Sequence, residues 1–237
     1  MRILLVIGLS CLMSVFSLSA HSQEESGLAT QVEFGAIFTS GNTENENIKY
    51  KIVLDWVQQN WDYKFTSDGF RSSQDGISNA QRLYHSASAN YTNNEVSYAQ
   101  GRVAYENDKF SGFDNQSDVT FNYGRNILQN RDNMSLALTA GVGARRSVIA
   151  GDADTEGLAR FAANYLWNLS ESADFIQDFS VDAGSNSSIY RTETGVQTDI
   201  LENLSLKFTV KVKHQTEVPV DREKTDTETA MTLVLNF

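Results

Sequence analysis

Ala230-Met231-Thr232-Leu233-Val234-Leu235-Asn236-Phe237 closes the chain, and its reading decides the fold. Met231, Leu233, Leu235 and Phe237 take every second position, while the smaller or more polar Ala230, Thr232, Val234 and Asn236 lie between them. Successive side chains of a strand point to opposite faces, so this period of two describes a strand with one apolar face and one mixed face.

The same alternation runs back through the chain. Leu204, Leu206, Phe208, Val210 and Val212 alternate with Ser205, Lys207, Thr209, Lys211 and Lys213. Ile48, Tyr50, Ile52, Leu54 and Trp56 stand against Asn47, Lys49, Lys51, Val53 and Asp55, and Phe161, Ala163, Tyr165 and Trp167 against Arg160, Ala162, Asn164 and Asn168. Shorter versions begin at Val32, Trp61, Val119, Met134, Phe175 and Tyr190. Strand four, 79–92, is weaker, with Leu83, Ala87, Ala89 and Tyr91 as its best apolar face. In strand five, 95–106, Val96 and Tyr98 share a parity with Arg102, whereas Val103 and Tyr105 fall on the other; a bulge midway would reconcile them. The sum is twelve strands, each long enough to cross a hydrocarbon layer at a tilt, and helical spacing fits none of them.

The connections sort by length. Turns after strands two, four, eight and ten are short, and the one after strand six only modestly longer. Connections after strands three, five, seven and eleven, at 71–79, 107–116, 147–155 and 215–224, read as long. Tight turns on one rim and extended loops on the other are the habit of an outer-membrane barrel. The expected fold is therefore all-β: a transmembrane antiparallel up-and-down β-barrel of about 12 strands with both termini periplasmic.

The other end of the chain fits that destination. Arg2 precedes an apolar run from Ile3 to Leu18, and Ser19-Ala20-His21-Ser22 follows, which is the form of a secretory signal. Residues 1–22 are expected to be cleaved during export through the Sec pathway, leaving 23–237 as a single barrel domain in the outer membrane of a Gram-negative bacterium. Cys11 lacks the aliphatic lead of a lipidation motif, with Gly8-Leu9-Ser10 before it, and it leaves with the signal. Loss of Arg2 takes the formal charge from −11 to −12, unsuited to nucleic acid, which needs a basic stripe. The lone proline, Pro219, falls outside every strand, as a sheet whose backbone must be fully paired requires.

Candidate chemistry is sparse. His85 and Ser86 are strand neighbours on opposite faces, and His214, Asp221 and Asp226 read as a solvated rim. Asp152, Asp154 and Glu156 have carboxylates suited to a hard cation but no calcium-loop frame around them. No catalytic residue, metal or cofactor is expected. Charges are more telling, since each Arg or Lys facing lipid at the bilayer midplane would cost ~2–4 kcal/mol. Lys49, Lys51, Asp55, Lys64, Arg160, Lys207, Lys211, Lys213 and Glu228 are thus assigned to the lumen, together with Glu33, Asp62 and Asp226. They would either line a water-filled path or neutralise one another as a plug, and the narrowness of a twelve-strand barrel favours the plug. Trp56, Trp61, Tyr63, Tyr91, Tyr165 and Trp167 gather near the short turns as an interfacial girdle.

Ser40-Gly41-Asn42-Thr43, the Tyr105–Asp114 segment with its Phe110-Ser111-Gly112-Phe113-Asp114 core, Gly141 to Arg145, Tyr165-Leu166-Trp167 and Lys224-Thr225-Asp226-Thr227 together resemble the salt-induced outer-membrane protein family, from Val32 to Phe237. The resemblance implies an outer-membrane barrel whose expression responds to salt stress in some members, and it brings no ligand or reaction. Expected partners are outer-membrane lipid and lipopolysaccharide, with periplasmic chaperones and the barrel-assembly machinery during biogenesis. That machinery would read Met231, Leu233, Leu235 and Phe237. The barrel is expected to be monomeric, either a narrow small-solute or ion channel or an envelope protein. The alternative is a barrel enzyme or a lipid- or saccharide-binding protein acting at the external rim.

Overall fold

The computed structural model describes residues 26–39, 45–94, 96–108, 111–128 and 131–237. The expected signal segment, 1–22, and the Ser40–Thr43 hairpin lie outside the described residues. Twelve strands follow in chain order: β1 (Ser26–Thr39), β2 (Asn45–Gln58), β3 (Trp61–Gln74), β4 (Ile77–Asn94), β5 (Ser97–Asp108), β6 (Phe113–Asn126), β7 (Met134–Ile149), β8 (Asp152–Ser170), β9 (Ala173–Gly184), β10 (Ser188–Leu201), β11 (Leu204–Gln215) and β12 (Thr225–Asn236). Each pairs antiparallel with the next, and β12 returns to β1, so the sheet is a closed barrel. Closure leaves no open edge to template aggregation.

The closing seam runs from Gln31 opposite Asn236 to Phe34 opposite Leu233. Thr30 and Phe237 extend it by exchanging backbone hydrogen bonds, Phe237 N–H to Thr30 O at 2.8 Å and Thr30 N–H to Phe237 O at 3.1 Å.

Exposure alternates along the strands, and its sense is inverted relative to a water-soluble sandwich. In β6, Asp118, Thr120 and Asn122 are buried, whereas Val119, Phe121 and Tyr123 stand out from the wall, Phe121 at 71% exposed. In β12, Thr232 and Val234 are buried and Met231, Leu233 and Leu235 project outward. Apolar groups thus coat the outside and polar groups fill the inside, the pattern of a barrel immersed in hydrocarbon.

Two expectations from the sequence need correction. β5 has no midway bulge: its register against β4 and β6 is continuous through Arg102 and shifts only at its ends, near Thr92/Asn94 and Glu106/Asp108. Ala104 and Glu106 are buried and Val103 and Tyr105 exposed, so Tyr98, on the parity of Ala104, faces inward despite its apolar ring. The reason is on β6, where Tyr98 lies across Gly124: a Cβ at Gly124 would fall 2.2 Å from its ring.

The second correction concerns loop length. The connections read as long at 71–79 and 147–155 are two-residue turns, Asp75-Gly76 and Ala150-Gly151, at the tips of extended hairpins. All four residues have positive φ (51° and 76°, 50° and 87°), as the turn whose twist matches flanking strands requires. β4 and β8 therefore reach 18 and 19 residues. The 107–116 and 215–224 connections are also shorter than read, since β5 runs on to Asp108, β6 begins at Phe113, and 216–224 alone joins β11 to β12.

Candidate functional site in the lumen

The inward face begins with the lysines of β2 and β11. Alternation sends Lys49 and Lys51 inward from β2, and Lys207, Lys211 and Lys213 inward from β11, all half-buried or buried. A buried ammonium is tolerable only when paired and hydrogen-bonded. Glu33 of β1, 1% exposed, accepts from Lys207 Nζ at 2.9 Å, and Lys51 lies 3.9 Å from it. Glu193 of β10 lies 3.3 Å from Lys211 and 3.6 Å from both Lys51 and Lys207.

Further pairs leave the neighbourhood of one wall and cross the lumen. Asp68 on β3 accepts from Lys211 on β11 and from Arg82 on β4, each at 2.7 Å. Glu228 on β12 accepts from Lys49 at 2.5 Å and Arg82 at 2.9 Å. Glu106 on β5 accepts from Lys213 on β11 and Arg191 on β10, both at 2.7 Å. In the ring, β5 and β11 are six strands apart by either route, so the Glu106–Lys213 pair joins diametrically opposite walls. Arg191 then passes to Asp182 at 3.0 Å, which also takes Arg160 at 2.5 Å. Two sets of paired charges span the middle of the barrel as its central web, one joined through Glu33, Glu193, Asp68 and Glu228 and the other through Glu106 and Asp182. Arg82 of the first lies within electrostatic reach of Glu106 in the second.

Above the web, Arg145 is fully buried, donating to Asp118 at 2.9 Å and 3.4 Å, with Glu156 at 3.8 Å. Glu156 in turn accepts the backbone N–H groups of Asn186 and Ser187, at 2.6 Å and 3.3 Å, which ties the β9–β10 turn to β8. At the same rim, the 216–224 loop reaches across the mouth to the opposite β5–β6 connection. A Cβ on Gly112 (φ +86°) would lie 2.9 Å from both Pro219 Cγ and Arg222 Cγ. The loop is held by Ser187 Oγ donating to Glu217 O at 3.1 Å and by Lys224 Nζ donating to Thr216 O.

The short-turn end is more open. A cavity of about 540 Å³ lies there, among Asn126, Ser135, Asn164, Asn168 and Asp178. An amide ladder continues round the wall, Asn122 to Gln100 at 3.0 Å, Gln100 to Asn90 at 2.9 Å and Asn90 to Asp62 at 3.2 Å.

Of the charges assigned from sequence, Lys49, Lys51, Lys207, Lys211, Lys213, Arg160 and Glu228 meet in the central web. Asp55 and Lys64 pair with each other at 3.2 Å nearer the short-turn mouth, 36% and 51% exposed, and stand apart from it. Sequence reasoning missed Asp68, Arg82, Glu106, Asp182, Arg191 and Glu193. Asp68 shares the parity of Asp62 and Lys64, and Glu193 and Arg191 oppose Tyr190 and Val196, so alternation could have found them; Arg82 and Glu106 lie on the two strands whose register was obscure. Met231, Leu233, Leu235 and Phe237 are exposed on the outer face.

The rim residues form no acid–base pair. His214 Nδ1 is 2.8 Å from Thr225 Oγ1 and its ring lies against Tyr190, on the outward parity of β11, while Asp226 has the inward parity of β12. His85 stacks on Phe65 on the outer wall. Asp154 accepts from Asn186 Nδ2 at 2.8 Å, and no group of three or more His, Cys, Asp or Glu side chains converges as a metal site among the described residues.

Residues 32–237 match the family described as "Protein of unknown function, DUF481". No curated protein matches the chain. Among solved structures it is similar to the NanC porin (8% identity, 89% of this chain and 98% of that chain covered, TM-score 0.49) and to an outer membrane channel from Pseudomonas putida F1 (11%, 92% and 100%, 0.49). It is also similar to the translocator domain of the autotransporter NalP from Neisseria meningitidis (11%, 98% and 95%, 0.48).

Proposed function

We propose that this chain, which belongs to the DUF481 family, is an integral barrel of the Gram-negative outer membrane whose lumen is a narrow path for ions or small solutes, restricted by its own ion pairs. The outer coat supports the membrane placement: Phe34, Phe121, Val142, Phe161, Val196, Phe208 and Leu233 are all more than two-fifths exposed on a closed wall, which water would not tolerate. Trp56, Tyr63, Trp61 and Tyr91 form a row of ring contacts beside the short turns, with centroids 5.1–5.9 Å apart, as an interfacial girdle does. In this reading the short-turn rim and both termini face the periplasm, the exported barrel is monomeric, and the last strand is the one the assembly machinery engages.

The observation that carries the restricted path is the Glu106–Lys213 pair, which joins facing walls at 2.7 Å. An open water-filled pore has no side chains meeting across its middle. Planar-bilayer recording on the refolded barrel tests this. A small, steady conductance is expected; silence at every voltage would remove the channel role, and large open-porin steps would remove the restriction. Membrane fractionation tests the location, since a soluble periplasmic pool contradicts it. The salt response implied by the sequence resemblance belongs to the same proposal, and immunoblots of cells grown at rising sodium chloride would show it as increased barrel abundance.

A further inference from the structure

Beside Asp182 the guanidiniums outnumber the carboxylate that faces them. Three guanidiniums, Arg102, Arg160 and Arg191, lie within electrostatic reach of that single carboxylate. Arg160 and Arg191 both donate to it, and Arg191 has Glu106 as well. Arg102 has no carboxylate at ion-pair distance among the described residues; its one hydrogen bond is from Nη2 to Tyr84 Oη, at 2.5 Å. Arg102 Nη1 and Arg160 Nε are both shielded from solvent and donate to nothing. A buried charged donor left unpaired costs at least ~1–3 kcal/mol, so two of them in one place mark a missing acceptor.

The surroundings suit an anion better than another protein carboxylate. Arg102 on β5 is flanked in register by Ser88 on β4 and Thr120 on β6. Thr120 Oγ1 accepts from Asn122 Nδ2 at 3.0 Å, which leaves its proton free to donate. Between Arg102 and Arg160, the inward positions of β7 are Gly141 and Gly143, so β7 itself sends no side chain between them, and the side chains that rise from the intervening wall are those of Thr120 and Asn122 on β6. The cavity of the short-turn end, with Asn126, Asn164 and Asn168 on its wall, lies below on the same side of the barrel.

We propose that Arg102 and Arg160 form a lumenal binding site for a small soluble oxyanion, a phosphate or carboxylate group, reached from the short-turn mouth. Guanidinium forks match the geometry of both groups, and hydroxyl donors complete their coordination. The proposal rests on the channel reading only for the route by which the anion arrives. If the barrel conducts, the same site makes it prefer anions.

The test titrates inorganic phosphate, with chloride as the counter-probe, into the refolded full barrel in detergent and follows binding by calorimetry. Saturable phosphate binding is expected, weakened at least tenfold in Arg102→Gln and Arg160→Gln, and retained in Arg146→Gln, which alters an exposed outer-face residue. Arg102→Lys, which keeps the charge but loses the fork, is expected to bind with intermediate affinity; it serves if the glutamine variants do not fold, as judged by heat-modifiable migration. Absence of phosphate binding to the wild type, or equal binding by wild type and a folded Arg102 variant, would overturn the site. Binding without conductance would leave the site standing and remove the channel; conductance without phosphate binding would do the reverse.

Discussion

Glu106 holds two cations of the wall that faces it, Arg191 and Lys213, so its replacement reaches beyond one contact. Glu106→Gln leaves Lys213, among the described residues, with Asp108 at 3.8 Å as its remaining ion-pair partner, while Arg191 keeps Asp182. Breaking a buried pair from one side leaves an uncompensated charge and costs about 3–5 kcal/mol, with the lower end expected because Arg191 retains a partner. Urea unfolding of the refolded barrel in micelles would show this as a lowered midpoint. Gly143 sets a different constraint: a Cβ there would lie 2.0 Å from the Val119 carbonyl oxygen, a backbone atom that cannot swing away. Gly143→Ala should therefore destabilise the barrel by about 1–3 kcal/mol, as overpacking does. Gly157→Ala, where a Cβ would meet nothing within 4 Å, should leave the midpoint unchanged.

At the scale of elements, alternation was legible in most of the wall strands, because a strand between hydrocarbon and a polar lumen must have one apolar and one polar face. β11 and β12 follow the period of two without interruption. It was illegible in Arg71-Ser72-Ser73-Gln74 and Ile77-Ser78-Asn79-Ala80, which pair as strands yet carry no apolar stripe. A hairpin arm that projects into water satisfies its backbone by pairing and needs no particular side chain, so composition alone reads it as loop. β5 failed for another reason, since Tyr98 turns inward to cover Gly124 and breaks the pattern that its neighbours obey. The hairpin tips give a local prediction. Gly76 sits at φ +76°, where a β-branched residue is strained by about 1–3 kcal/mol. Gly76→Val should make the 72–79 tip susceptible to protease while leaving the barrel's urea midpoint unchanged, because the tip is remote from the central web; a lowered midpoint would show that the hairpin supports the wall.

For the whole molecule, the sequence told which side chains face inward but not which of them meet. Partners across a lumen depend on how far the strands are staggered around the ring, a property of closure rather than of any one segment. Asp68 and Lys211 are 143 positions apart in sequence, and Glu106 and Lys213 are 107. The pairs they form, with the 216–224 loop folded over one mouth and a cavity at the other, leave a barrel restricted in its middle. That restriction is the central claim, and single-channel conductance of the wild type beside Glu106→Ala/Lys213→Ala tests it most directly. Removing both partners of the diametric pair leaves neither charge stranded by the other and clears the span between β5 and β11. The wild type should pass only small currents, and the double variant should pass several-fold larger ones. Equal conductance in the two proteins, or open-porin currents in the wild type, would contradict the account.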